Sequence, residues 1–446
     1  MESLIRNAGG TSRAECTHRT PGRRLALVAF FSAVLLTACT SPGAAPPAAA
    51  ETGSQVEGTA QLGSLPGTIQ GIEPEAQSHV PPYADGNGNL YRIVEEFGSP
   101  EPNHNTPRMM KSGDGGSTWV EVDEVNRPTD NDLEGSWLLQ AGTALVYVYT
   151  DGGTVSYSTF NTSDAATNPD RWETKDERGI TGLSAGSQQW TCAARTSDGR
   201  VWVFFSDTLV GSNKQLSFIR RDSAGSWTTK TRISSDTDSF AGATCVVDPV
   251  TDVTHVFYHD YANKQVLYRS LTTAGALSAA TRIDTTGTNT ANRDYNAVTN
   301  PIVYTTDGSS VVTAMYASAS GVRAVSITDG VVGTEQVVDT AAPLISAANS
   351  DKNTGNDGPV MQLAVHGSTV HALWAAESTG DVWHSSRPHG GAWTAPERLV
   401  DSGPGHVSWL YANVLTLGGG QVLGYTYDVG PHLDNAGDIR YNHVPL

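Results

Sequence analysis

The sequence predicts an all-β chain, built as a seven-bladed β-propeller of four-stranded antiparallel blades. Three observations predict it. Short Val-, Thr-, Tyr- and Trp-rich runs are bounded by Gly, Asp, Asn and Ser, and helical periodicity is scarce. The 446 residues include 46 Gly, and only 17% are charged, as turn-rich β proteins require. Above all, one unit recurs: a strand, a Gly/Asp hairpin, then a strand ending in aromatics. The second strand of this unit can be read at residues 90–94, 145–149, 201–205, 253–258, 311–316, 370–374 and 422–427. Their last residues fall 53 to 58 positions apart, the length of one four-stranded blade. A six-bladed ring, with one unit as an insertion, is the alternative.

Before the repeats comes a targeting segment. Arg23 and Arg24 precede an apolar run at 25–36, too short for a membrane span, followed by Leu36-Thr37-Ala38-Cys39. That tetrapeptide resembles the bacterial lipobox, which implies a signal peptide over 1–38 and lipidation of Cys39. A Ser/Pro/Ala-rich stretch gives a flexible tether over 39–60, and the propeller takes 61–446 as one domain. The expectation is a monomer at the bacterial cell surface, held outside the cytoplasmic membrane by its lipid alone. An ordinary signal peptide with a chance Cys is the competing reading.

Within the units, a third strand follows the aromatic one, as at Val266-Leu267-Tyr268-Arg269-Ser270 and Val382-Trp383-His384-Ser385-Ser386. A turn and a large apolar residue come next: Trp119, Trp172, Trp227, Leu277 or Trp393. The last unit lacks a clear fourth strand, and residues 61–72 are placed to supply it. Such closure removes two sheet edges.

Of the four cysteines, Cys16 would leave with the signal and Cys39 would carry lipid. Cys192 and Cys245 each lie fifteen residues before an aspartate, Asp207 and Asp260. They therefore read as equivalent positions in consecutive units, pointing the same rotational way. A disulfide between them needs a local rotation; two buried thiols are the alternative.

A net charge of −18 excludes a global basic footprint for nucleic acid. The stretch Ser112-Gly113-Asp114-Gly115-Gly116-Ser117-Thr118-Trp119 suits a tight turn. Asp114 can accept loop N–H groups, Gly115 and Gly116 permit positive φ, and Trp119 can seal the turn against the next strand. It reads S-x-D-x-G-x-T-W and resembles the Asp-box of sialidase-superfamily propellers. Residues 221–227 and 387–393 look like decayed copies.

Sialidases open on an aromatic-Arg-Ile-Pro strand. The corresponding stretch here is Ser78-His79-Val80-Pro81-Pro82, with His79 in place of the arginine, and no arginine triad is evident. His-x-x-Pro resembles instead the seven-bladed polysaccharide lyases that cleave uronate-containing polymers. That resemblance implies an inner-strand histidine in the active site.

In such a fold the Asp-box turn lies at one end, and the loops joining strands B to C and D to the next A lie at the other. Those loops supply the candidate residues. His79, His259 and Tyr261 are the candidate catalytic groups, as base, acid and partner of a β-elimination. Arg108 or Arg293 is the candidate clamp for the uronate carboxylate, and His104, Tyr295, Asn296, His406 and Trp409 are candidate contacts to sugar. Hydrolysis by two carboxylates is open, since Glu95, Glu96, Asp260 and Asp294 are available. No cofactor and no catalytic metal is expected. Asp130-Asn131-Asp132 and Asp434-Asn435 are candidates for structural Ca²⁺. Two further functions compete: a non-catalytic propeller binding glycan or protein, and an exo-sialidase. The last requires three arginines converging on one pocket above a Tyr–Glu pair.

Overall fold

The computed structural model describes residues 67–68, 76–78, 80–97, 105–124, 133–151, 153–163, 172–183, 192–210, 213–234, 240–260, 263, 265–285, 298–318, 320–341, 360–376, 379–401, 406–430 and 438–446. All of them fall in the unit Thr59–Leu446. They form seven antiparallel sheets and no helix, so the ring has seven blades rather than six. Six sheets take their strands in chain order, A to D, and the A strands of successive blades lie against one another. Blade four shows the pattern: Phe240–Val247, Thr254–Asp260, Gln265–Leu271 and Thr281–Arg282.

The aromatic strands of the sequence are the B strands: Leu90–Phe97, Ala144–Asp151, Val201–Val210, Thr254–Asp260, Ser309–Ser318, Thr369–Ala375 and Gly420–Gly430. They read as nearly unbroken apolar runs because each blade is packed on both faces. In Ala144–Asp151, Leu145, Tyr147 and Tyr149 pack with Tyr91, Ile93 and Met109 of blade one. Val146 and Val148, on the other side of the pleat, pack with Val201, Val203 and Phe205 of blade three. The same two-sided packing continues around the ring.

Closure follows the expected route. Blade seven takes His406–Leu417, Gly420–Gly430 and Asp438–Pro445 from the end of the chain, and its D strand is Gly67–Thr68. The register is Gly67 opposite Tyr441 and Thr68 opposite Arg440.

The turn at 112–119 is built by its own side chains. Asp114 accepts from the Thr118 amide at 2.9 Å, the Thr118 hydroxyl at 2.6 Å and the Ser112 hydroxyl at 2.8 Å. These bonds, led by the Thr118 hydroxyl, hold its carboxyl down at about 2. Gly115 and Gly116 take φ of 73° and 94°. The Trp119 indole donates to the Gly116 carbonyl at 3.1 Å, and its ring packs edge-to-face with that of Tyr441, centroids 5.6 Å apart. Trp119 thus seals against the neighbouring blade seven rather than against the next strand. The reason is that Val120–Glu124 carries it to the side of the sheet facing Leu415, Ile439 and Tyr441.

The turns at 221–227 and 387–393 reach the preceding blade with arginine. Arg221 forms two 2.7 Å bonds to Glu177 of blade two, the Trp227 indole donates to the same carboxylate at 2.6 Å, and the guanidinium lies 4.2 Å from the Tyr157 ring. Arg387 reaches from blade six to Gln336 and, at 2.8 Å, to the Ser326 hydroxyl of blade five, with Trp393 5.1 Å away.

One expectation is overturned. Cys192 and Cys245 are not equivalent positions. The A–B turn of blade three spans five residues between Arg195 and Val201, whereas that of blade four spans six between Val247 and Thr254. Cys192 consequently pairs with Phe204 but Cys245 with Val256, and the residue matching Cys192 is Thr244, opposite Phe257. A one-residue offset moves a side chain to the opposite face of the sheet. Cys192 therefore looks out of blade three toward blade four, and Cys245 looks back, inside one apolar cluster.

A Cβ added at Gly116 would sit within the Tyr441 ring, whereas one at Gly115 meets open space. Gly115→Ala should cost about 1 kcal/mol from positive φ alone, and Gly116→Ala about 3 kcal/mol or more. Urea unfolding of the two variants checks this; equal costs would mean that the turn does not bear on blade seven.

Candidate functional site

The turns just described place one end of the ring. The B–C and D–A connections emerge at the other, and there the described strand ends carry buried polar groups in four consecutive blades. In blade three Asp207, 2% exposed, is ion-paired with Lys230. Ser234 donates to Gln215 at 2.9 Å and accepts from the Leu216 amide at 2.9 Å.

Blade four repeats this scheme with stronger groups. Asp260 accepts from the Asn263 amide at 3.2 Å, the Asn263 side chain at 2.6 Å and Gln265 at 2.9 Å, and so sets the B–C turn. Asp284 takes the place of Ser234, accepting from the Val266 amide at 2.9 Å and from Arg282 at 3.1 and 3.2 Å.

Between blades four and five lies a Tyr–Glu pair. The Tyr316 hydroxyl donates to Glu335, which also accepts from the Thr285 amide at 3.0 Å and pairs with Arg323 at 3.8 Å. Burial, then the Glu335 carboxylate, pushes the Tyr316 hydroxyl well up. Tyr316 is 0% exposed, and the pair latches two blades together. In blade six Arg398 bridges Asp381 and Asp401, each at 3.3 Å.

The candidate residues are distributed as follows. His259 stands beside Asp260 at the end of its B strand, 1% exposed, in the wall between blades. It shares the strand face of Phe257, which packs with Val312 and Ala314 of blade five. Arg108 lies in the first half of the C strand of blade one, opposite Val94, and pairs with Glu121 at 2.6 Å. His406 and Trp409 both fall in the A strand of blade seven, His406–Leu417. His79, His104, Tyr261, Arg293, Tyr295, Asn296 and Cys39 lie outside the described residues, as do Asp130–Asp132 and Asp434-Asn435. Among the described residues no three His, Cys, Asp or Glu side chains group to hold a metal ion.

The structure adds groups that the sequence reading passed over. Thr231-Arg232-Ile233-Ser234 and Thr281-Arg282-Ile283-Asp284 recur fifty positions apart, and each ends on the residue that caps its C strand. The recurrence was the available signal. A hollow of about 560 Å³ opens at the other end of the ring, lined by the A–B turns of blades one and seven, among them Asp85, Asn87, Thr416 and Gly418. The Asp85 carboxylate is spent within its own turn, on Asn87 and Asn89 at 2.7 to 2.9 Å. That hollow is therefore not the centre of the polar groups.

No family model matches the chain, and no curated protein matches it in sequence. Several solved structures are similar over most of its length. One is a protein of unknown function from Dyadobacter fermentans, 12% identical with a TM-score of 0.44, covering 85% of this chain and 97% of that one. Another is an ulvan lyase solved with a glucuronate–rhamnose sulfate ligand, 10% identical with a TM-score of 0.48, covering 85% and 96%. A third is an α-L-arabinofuranosidase of Fusarium graminearum, 14% identical with a TM-score of 0.43, covering 71% and 93%. At these scores the likenesses carry no argument about activity.

Away from the rim, histidines are stacked between blade strands. His255 bonds Tyr268 at 2.9 Å; His371 bonds His384 at 3.1 Å, which bonds Glu397 at 2.9 Å. Burial, the leading cause, pulls His255 and His371 down to about 4. The folded chain then binds fewer protons than the unfolded one between pH 6.5 and 4. Stability should be full above about pH 6.5, fall by roughly 3 kcal/mol per histidine as pH drops through 4, and level off below. Asp114 and Asp198, held at about 2, lose their contribution only below pH 3.8. Unfolding free energies measured from pH 7 to 3 check this, and His255→Gln should flatten the upper window.

Proposed function

We propose that this propeller acts on extracellular polysaccharide at a uronate-containing glycosidic bond. One observation carries the reading: the B–C and D–A end of blades three to six is built on buried carboxylates, an amide, hydroxyls and a histidine, namely Asp207, Gln215, Ser234, His259, Asp260, Asp284, Ser318 and Asp381, which anchor the polar connections there. Sugar hydroxyls and carboxylates are met by such groups, whereas an apolar ligand is met by the aromatics and branched aliphatics that this chain keeps between its blades.

In the elimination route, Arg108 or Arg293 neutralises the uronate carboxylate and so acidifies the adjacent C–H. For Arg108 this means trading Glu121 for the substrate. His79 or His259 then takes that proton, with Tyr261 as its partner, and a protonated group returns one to the departing glycosidic oxygen. His104, Tyr295, Asn296, His406 and Trp409 would hold the flanking sugars. In the hydrolytic route two carboxylates replace the base, drawn from Glu95, Glu96, Asp260 and Asp294.

A second reading has its own support. Asp207, Asp260, Glu335 and Asp381 are all engaged by neighbours within the protein. A rim so satisfied suits a surface that recognises glycan without cleaving it.

The full chain should be incubated with a panel of uronate-rich polymers. Elimination raises ultraviolet absorbance through the unsaturated product, hydrolysis releases reducing ends without it, and retardation in polymer-containing gels with neither identifies the binder. Absence of all three across the panel would sink the proposal. With elimination observed, His79→Ala and His259→Ala should each lower kcat about 100-fold or more if the residue moves the proton. Circular dichroism and Tm of each variant separate lost chemistry from lost folding.

A further inference from the structure

We infer that Cys192 and Cys245 form a disulfide that pins blade three to blade four, and that it closes before those blades dock. The inference is independent of the carbohydrate reading and needs only an oxidising environment.

The geometry comes from one extra turn residue. The six-residue turn of blade four shifts its A strand by one position against that of blade three. Side chains alternate faces along a strand, so the shift turns Cys245 from facing onward around the ring to facing back. It meets Cys192 in the apolar cluster formed by Phe204, Leu216, Val256 and Tyr258. The A strands Cys192–Arg195 and Phe240–Val247 are direct neighbours, and both cysteines are buried free thiols in this structure. Two thiols facing each other from adjacent strands of one apolar cluster are placed for a disulfide to join them.

Burial fixes the order of events. Cys192 is 0% and Cys245 4% exposed, so no oxidant reaches them in the finished ring. Desolvation also pushes the Cys192 thiol well up, which removes the thiolate that exchange requires. While the two strands are still open to solvent, one thiolate can attack an external disulfide, either of a thiol oxidase or of oxidised glutathione. The second cysteine displaces the mixed disulfide. One S–S bond forms, two protons and two electrons leave the cysteines, and the external disulfide departs as two thiols. The bond closes a loop of about 50 residues, long enough to restrict the unfolded chain substantially.

The test is cell-free synthesis of the full chain in a glutathione redox buffer and, separately, in dithiothreitol. Each sample is acid-quenched, alkylated, digested and read by mass spectrometry. The expected result is a linked Cys192–Cys245 peptide pair, two hydrogens lighter than the sum, in glutathione, and both residues alkylated in dithiothreitol. Full alkylation of both in glutathione, or linkage of either to Cys16 or Cys39, would overturn the disulfide. Adding oxidised glutathione to chain already folded in dithiothreitol should leave both thiols intact for hours; rapid bond formation there would overturn the order of events. Cys192→Ser should lower the Tm of the glutathione-made chain by about 5 °C and that of the dithiothreitol-made chain much less. The peptide map of the unaltered chain decides the question even if that variant does not fold.

Discussion

Tyr441 is where the ring is held shut. A blade that is apolar on both faces needs a neighbour on each side, and an open row of such blades leaves two raw faces and two bare sheet edges. Here both are removed at one residue. Tyr441 sits in the C strand of blade seven and pairs with Gly67 from the beginning of the propeller. Its ring packs edge-to-face with Trp119 and fills the space over Gly116, and it is itself 2% exposed. Had the turn at 112–119 a side chain at Gly116, blade one could not approach blade seven closely enough to bury Leu415 and Ile439. The turn is thus less a local ornament than half of a lock.

The same need for lateral contact explains the arginines. Arg221 and Arg387 occupy like places in blades three and six, and each crosses to the preceding blade. Apolar packing holds the middle of every interface but is indifferent to sliding. A bidentate Arg221–Glu177 pair with an indole donating to the same carboxylate is directional, and it sets the height of one sheet against the next.

The fold was legible because its unit repeats. Seven aromatic strands at near-constant spacing, and a D strand missing at the end but available at the start, were enough to give the blade number and the closure. Two things were not legible. The first was orientation: counting fifteen residues from each cysteine to an aspartate made Cys192 and Cys245 look equivalent, yet the turn length between them and their aspartates differs by one. Residue counts along a chain do not register such a slip; pairing does. The second was the site. Strand patterns arise from burial and are forced into the sequence, whereas His79, Tyr261 and Arg293 belong to connections whose polar residues obey no period. For those, only chemical type was readable. Even His259, read as a loop residue, falls inside the end of a B strand, and nothing in the sequence signalled that it would lie in an interblade wall. The capping pair Ser234 and Asp284 was in plain view as a Thr-Arg-Ile repeat, but its tetrapeptide signals support of a strand, not catalysis.

The D strand of blade seven is described at Gly67–Thr68. Any tension applied to the chain ahead of it is delivered first to that strand, and through it to the edge of one blade. Its pairing with Asp438–Pro445 lies at the seam where the first and last parts of the propeller meet. A molecule held by its leading segment would therefore experience load at its seam rather than across its core. The robustness of the seam under pull then rests on the side chains behind it, Trp119 and Tyr441, which are packed in the body of the ring and are not part of the strand being drawn away.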